Sequence, residues 1–147
     1  MCWYDNDSCA YHANDGIFYN YFVVADTNAL NICPVGWHVP SKIETLATTL
    51  VGVLVAGGKM KETGFANWLS PNTGATNLSN MTLLGTGNRN QSEFFINEGN
   101  LTAIWSSSNA LSHPLKVWNE SVWYTNTTLS VNSQPKRLGL SVRCIKD

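Results

Sequence analysis

The chain has 147 residues, of which 44% are hydrophobic and 13% charged, with a formal net charge of -1. This balance excludes a disordered or fibrous chain, and the absence of any Lys/Arg run removes the electrostatic footprint of a nucleic-acid binder. The longest apolar stretch, Leu50 to Ala56, is too short to cross a bilayer, so no direct membrane insertion is expected. One domain covering 1–147 fits this length. Met1 leads straight into Cys2-Trp3-Tyr4-Asp5, so no signal peptide is expected at the start of this chain. Seventeen Asn, together with many Ser, Thr and Gly, favour turns over long helices, so a loop-rich α+β fold is expected.

In chain order, residues 1–16 are polar and turn-rich. Ile17 to Ala25 is dense in aromatic and β-branched residues and reads as a buried strand or a strand running into a helix. Cys33-Pro34-Val35-Gly36-Trp37-His38-Val39-Pro40 is an extended segment held by prolines. Ser41-Lys42-Ile43-Glu44 is a capping box that predicts a helix start. Ile43, Leu46, Leu50, Val53 and Leu54 continue at helical spacing, and Gly57-Gly58 are expected to stop the run. Between 59 and 100, Leu83-Leu84-Gly85 and Phe94-Phe95-Ile96 read as small core anchors under long loops. From Leu101 the pattern alternates. Strands are predicted around Ala103 and Trp105, over Val117–Tyr124, over Thr128–Val131 and over Leu140–Ile145. Their joints are Ser112-His113-Pro114, Thr125-Asn126-Thr127 and Gln134-Pro135-Lys136.

The cysteines are Cys2, Cys9, Cys33 and Cys144. An even number suggests two disulfides with three possible connectivities, the alternative being reduced core thiols in a cytosolic protein. Spacing favours Cys2–Cys9 as a local loop and Cys33–Cys144 as a long staple. No Cys-x-x-Cys pair is present and His12, His38 and His113 are scattered, so no structural zinc is expected.

Several stretches, taken together, resemble a known family. They are Cys2-Trp3-Tyr4-Asp5-Asn6-Asp7, Ile17-Phe18-Tyr19-Asn20-Tyr21, Cys33 through Ser41, and Gly57-Gly58-Lys59-Met60-Lys61-Glu62-Thr63-Gly64. Trp68 with Ser70 through Asn77, Ile104-Trp105-Ser106-Ser107-Ser108 and Leu140-Ser141-Val142-Arg143-Cys144 complete the set. In this order they resemble the Fibrobacter succinogenes major paralogous domain across essentially the whole chain. The resemblance implies a C-type-lectin-like fold of the formylglycine-generating-enzyme branch, two helices packed on short antiparallel strands. That branch also supplies the variable proteins of diversity-generating retroelements, found in prokaryotes and phages. There, adenine mutagenesis of a short cassette scatters Asn codons into many residue types on the ligand-binding face.

The segment from about 109 to 138 fits such a variable region. It retains only Asn109, Asn119, Asn126 and Asn132, where related domains carry Asn-rich tails. The resemblance implies a ligand surface of Leu111, Ser112, His113, Leu115, Val117, Asn119, Ser121, Thr125, Asn126, Ser130, Asn132, Ser133, Arg137 and Leu138. Most of the departures from Asn are reachable from an Asn codon by adenine changes alone. Trp118, Trp123, Tyr124, His113 and Arg137 are residue types that make interface hot spots. Strand alternation expects at least one residue of each pair, 117/118 and 123/124, in the core. Trp105 and Ser141–Cys144 are expected to be scaffold, and Arg143 is expected to meet a buried acceptor.

The implied function is recognition of a protein or cell-surface ligand, with no cofactor and no catalysis, in an extracellular, cell-surface or virion setting. The related oxidases require a nearby cysteine pair that binds copper, and no cysteine lies between Cys33 and Cys144. A calcium lectin would need six or more oxygens arranged around the ion. Asp5-Asn6-Asp7 is instead read as an Asx turn, and Glu120 as a strand-surface charge. His38 is read as a scaffold histidine. Asn-x-Ser/Thr triplets such as Asn77 and Asn126 arise by chance in this composition and carry no glycosylation reading. A structural or adhesive domain without a tuned ligand, and a carbohydrate lectin, are the alternative functions.

Overall fold

The computed structural model describes residues 1–6, 16–25, 32–49, 52–110 and 114–147, with only the backbone described for 46–49. The capping box forms as the sequence predicts. Ser41 Oγ accepts from the Glu44 N–H at 3.3 Å, and Glu44 Oε2 accepts from the Ser41 N–H at 2.8 Å. Helix α2 therefore starts at once and spans Lys42–Thr49, preceded by a short helix α1 at Tyr21–Ala25. A further helix, α3, spans Val53–Met60.

Gly57 and Gly58 do not stop the helical run; both lie inside α3 and are buried. Their role is close approach. A Cβ on Gly57 would sit 2.6 Å from the Thr128 carbonyl oxygen, and one on Gly58 would sit 2.5 Å from that of Gly74. The helix backbone thus presses directly onto neighbouring chain, and its last turn is stitched outward, Gly58 N–H to Thr127 O and Thr76 N–H to Gly58 O, each at 3.0 Å. The apolar stripe is also displaced from expectation. Ile43, Val53 and Leu54 are exposed, Leu50 and the side chain of Leu46 lie outside the described residues, and Ala56 and Met60, four apart on the glycine-bearing side, enter the core.

The Ile17–Ala25 segment runs from extended chain into helix. Phe18 bridges Cys2, Tyr19 bridges Leu140, and α1 follows with Asn20 Oδ1 accepting from the Val23 N–H at 3.2 Å. Further on, β1 (Trp37–His38) pairs with β7 (Ile145–Lys146), and β2 (Asn88–Arg89) pairs with β3 (Phe95–Ile96). The stretch Leu140–Ile145 is not one strand: Leu140 and Ser141 make isolated bridges to Tyr19 and Ile104 before β7 begins. Phe94-Phe95-Ile96 is not a core anchor either. Phe94 and Ile96 are exposed, and only Phe95 is half-buried, against Tyr4 at a ring distance of 5.1 Å.

The main sheet is an antiparallel meander of β4 (Leu101–Asn109), β5 (Lys116–Trp123) and β6 (Leu129–Pro135), in that spatial order. Both of its faces are covered. Ile104, Val122 and Leu129 pack with Ala56, Met60, Trp68, Met81 and Leu83 on one side. Leu101, Ala103, Trp105 and Val117 pack with Tyr21, Leu138 and Leu140 on the other. Trp105 is fully buried and its Nε1 donates to Tyr19 O at 2.7 Å, a scaffold position. Arg143 donates from Nε to Met81 O at 2.8 Å. The architecture is α+β and loop-rich, with three short α-helices and a 3-10 turn at Tyr4–Asn6 among the described residues where two helices were expected.

Cys33 and Cys144 form a disulfide with a Cα–Cα distance of 5.8 Å and a sequence separation of 111. Closing a loop of that size contributes about 4–5 kcal/mol in the chain-entropy model. Cys2 has no disulfide partner among the described residues, and its expected partner Cys9 lies outside them. His38 is held between Glu44, at 3.2 Å, and Asp147, as a scaffold histidine. The hydrogen bond to Asp147 is the main cause holding its pKa above the usual histidine value.

The α3 glycines give a direct test. In an exposed helix, Gly→Ala stabilises by roughly 1 kcal/mol through propensity alone. Here the clash with fixed carbonyls dominates, so Gly57→Ala and Gly58→Ala should each lower stability by about 2 kcal/mol, the scale of overpacking a core. A urea midpoint that stayed level or rose would contradict the close approach.

Candidate functional site

The segment expected to carry recognition starts at the central strand β5, whose surroundings decide which of its side chains are available. Because both sheet faces are packed, Val117, Asn119 and Ser121 are buried, as is Leu138 in the turn region beyond β6. These four leave the predicted surface. Their burial follows from position: β5 has a neighbour on each side and a core on each face. Leu111, Ser112 and His113 lie outside the described residues.

The other predicted positions sit around edge strand β6. Asn132 is exposed, and Ser130 and Ser133 are half-buried. At one end, the β5–β6 turn exposes Thr125 and Asn126; at the other, Leu115 (77% exposed) and Arg137 project from paired turns joined by the Lys136 N–H to Leu115 O bond at 3.2 Å. Of the two tryptophans on β5, Trp118 is half-buried with the Lys42 ammonium 4.5 Å above its ring, while Trp123 is exposed. Each strand pair does contribute a buried or packed member, namely Val117 and the partly buried Tyr124.

Lys61 was not singled out by the sequence, although it holds this region in place. Its side chain is fully buried, and Nζ donates to Thr73 O at 2.9 Å, Asn126 O at 3.0 Å and Trp123 O at 3.1 Å. Three ammonium protons meet three carbonyls, two of them in the β5–β6 turn. Burial lowers its pKa to about 8, which leaves the ammonium predominant at neutral pH. Nothing local separates Lys61 from Lys59, two residues earlier and half-exposed; only the fold around it does.

Glu120 corrects another expectation. Read as a surface charge, it is fully buried, and neither carboxylate oxygen has a hydrogen-bond partner among the described residues. Burial pushes its pKa up to about 7, opposed by the positive charge of Lys42. Its side chain shares a sheet face with Trp118 and Val122 by alternation, on the side where α2 packs.

A separate cleft of about 410 Å³ opens away from this sheet, with walls that include Tyr4, Phe18, Phe65, Leu69, Thr86 and Glu98. Phe65 and Leu69 are exposed at it. Its size falls within the range of small-molecule sites. Among the described residues, no group of three or more His, Cys, Asp or Glu side chains is placed to hold a metal ion, and no helix is long and apolar enough to cross a membrane.

The family model described as the Fibrobacter succinogenes major domain (Fib_succ_major) matches residues 1–146. The chain belongs to that family. No curated protein and no solved structure shows a match to it.

In this Fibrobacter succinogenes major domain, the two buried charges make distinct predictions. Lys61→Met removes the ammonium and strands three carbonyls, at a cost of about 3 kcal/mol or more. Hydrogen exchange should then quicken first in the amides of the 124–128 turn; uniform quickening would mean that Lys61 does not hold the turn in particular. For Glu120, the folded-state pKa stands above the unfolded value of 4.5, so the native state binds the proton more tightly. The resulting stability is complete below that unfolded value and is lost as pH rises through about 7. The shift amounts to roughly 3 kcal/mol. Glu120→Gln should flatten this dependence and be the more stable protein on the alkaline side, as measured by denaturant titration below and above neutrality.

Proposed function

We propose that the chain is a ligand-binding protein with a C-type-lectin-like fold, the variable member of a diversity-generating retroelement, recognising a protein or cell-surface target. The observation that carries the reading is the placement of accessible side chains on a rigid frame. Leu115, Thr125, Asn126, Ser130, Asn132, Ser133 and Arg137 are exposed or half-buried along one edge strand and its flanking turns. The Lys61 ammonium fixes the turn that bears Thr125 and Asn126. A surface already rigid loses little ordering entropy on binding, so side chains can change without the frame collapsing. The Cys33–Cys144 disulfide is compatible with an extracellular, cell-surface or virion setting. No catalytic role is part of this reading.

The test is variation among sibling copies and in the encoding DNA. Substitutions should crowd onto those seven positions and spare Val117, Asn119, Ser121 and Leu138, and a near-identical template repeat should differ from the gene only at adenines. An even spread of substitutions, or no template, would overturn the proposal in favour of a structural or adhesive domain without a tuned ligand.

One observation favours a second reading, a carbohydrate lectin. The cleft beside Tyr4 and Phe65 combines aromatic walls with the polar groups of Asn67, Thr86 and Glu98, a combination suited to a sugar ring. Glycan-array binding that Phe65→Ala abolishes would support it, and loss on adding a chelator would bring in calcium. A flat array would remove it.

A further inference from the structure

Strand β6 occupies the edge of the main sheet, bonded to β5 on one side only. Its ladder with β5 runs without a register shift from Lys116↔Pro135 to Val122↔Leu129. Apart from Pro135 O, which accepts from the Leu138 N–H, no backbone hydrogen bond reaches Leu129–Pro135 from any other described segment. Natural sheets protect such edges with lysines, internal prolines, bulges or covering chain. This strand, Leu-Ser-Val-Asn-Ser-Gln-Pro, has no charge, no bulge and no proline before its last residue.

We infer that β6 pairs antiparallel with β6 of a second copy of this chain, about a two-fold axis through Asn132, to give a continuous six-stranded sheet. The axis follows from length, since only a register centred on Asn132 pairs all seven residues of the strand with their counterparts. Asn132 then opposes its own copy, and a primary amide can both donate and accept. Val131 meets Ser133, and Ser130 meets Gln134. Charge agrees with this register: Lys136 and Arg137 fall opposite Thr128 and Thr127, so no like charges face each other across the seam. A net charge of -1 adds no long-range repulsion between copies. Two short edges bury less than a standard interface, so the dimer is concentration-dependent.

Pairing also changes the candidate surface, a consequence that rests on the recognition reading above. Within one copy, Thr125 and Asn126 lie at the opposite end of β6 from Leu115 and Arg137, about 20 Å apart by strand rise. In the pair, the Thr125–Asn126 turn of one copy lies beside the Arg137 turn of the other. Each recognition site is then built from two chains, and the assembly carries two such sites.

Sedimentation velocity across a dilution series, combined with cysteine cross-linking, tests the pairing. The wild-type mass should rise from 16.2 kDa towards twice that value with concentration. Asn132→Lys, at an exposed position, places two ammonium groups against each other on the axis and should restore the monomer at every concentration. In a Cys2→Ser, Cys9→Ser background, Asn132→Cys should cross-link to itself on oxidation. Ser130→Cys should cross-link with Gln134→Cys but not with itself. A 16.2 kDa species up to millimolar concentration would overturn the inference. So would a dimer indifferent to Asn132→Lys, or equal self-linking at Ser130 and Asn132. A monomer whose siblings still vary at the seven surface positions would sink the pairing and leave the recognition reading standing. A dimer with evenly spread variation would do the reverse.

Discussion

An ammonium group in the interior ties together three parts of the molecule that are distant in sequence. Lys61 caps the end of α3, and its Nζ reaches the carbonyls of Thr73, Trp123 and Asn126 at 2.9–3.1 Å. The helix, the loop around residue 73 and the end of the β-meander are therefore positioned against one charge. Glycine makes the approach possible. With any side chain at 57 or 58, α3 would stand off from Thr128 and Gly74, and Lys61 at its end would move with it. A buried cation is tolerable only where its protons are matched, and three carbonyls supply the match. The exposed turn at Thr125 and Asn126 is tethered to the interior by this arrangement.

The meander places its charged and polar residues under opposite constraints. On β5, between two cores, the Glu120 carboxylate has no hydrogen-bond partner among the described residues, and burial outweighs the charge of Lys42 in favouring its protonated form. One strand further out, β6 carries only neutral side chains over Leu129–Pro135 and faces outward along its edge. The same sheet therefore presents a dry, titratable interior strand and a neutral rim. On that rim Asn132 is exposed while Leu129 enters a core, and on the central strand Val117, Asn119 and Ser121 are all buried.

What could be read in advance depended on how local each cause was. The capping box at Ser41 and Glu44 is contained in four residues, and it forms as written. The strands β4 and β5 and the Thr125–Thr127 turn were legible because alternation and turn chemistry are short-range, whereas β6 runs on through Gln134 and Pro135, which had read as a joint, and Leu140–Ile145 is not one strand. Gly57 and Gly58 were misread as a stop signal because the atoms that require them, on Thr128 and Gly74, are far along the chain. The helical stripe at Ile43, Val53 and Leu54 suggested a core face, but the sheet meets α3 on its glycine side. Burial of Asn119, Ser121 and Glu120 was hidden for one shared reason: a central strand covered on both faces loses the alternation that marks an inside and an outside. Lys61 carried no signal of its burial, since a buried lysine and a solvated one are spelled alike.

The disulfide has a mechanical consequence. Cys33 and Cys144 enclose α2, α3 and the whole meander in one covalent loop, and β1 pairs with β7 immediately beside the bond. Tension applied outside the loop, on residues before Cys33 and after Cys144, passes through the sulfur bridge instead of the sheet. Residues 34–143 cannot be drawn out past the bridge, so such a pull would strip Tyr19 and Tyr21 from the face of the meander rather than extend its strands. Reduction of the bridge would redirect the same pull through the ladder of β4, β5 and β6, turning a shielded platform into an extensible one.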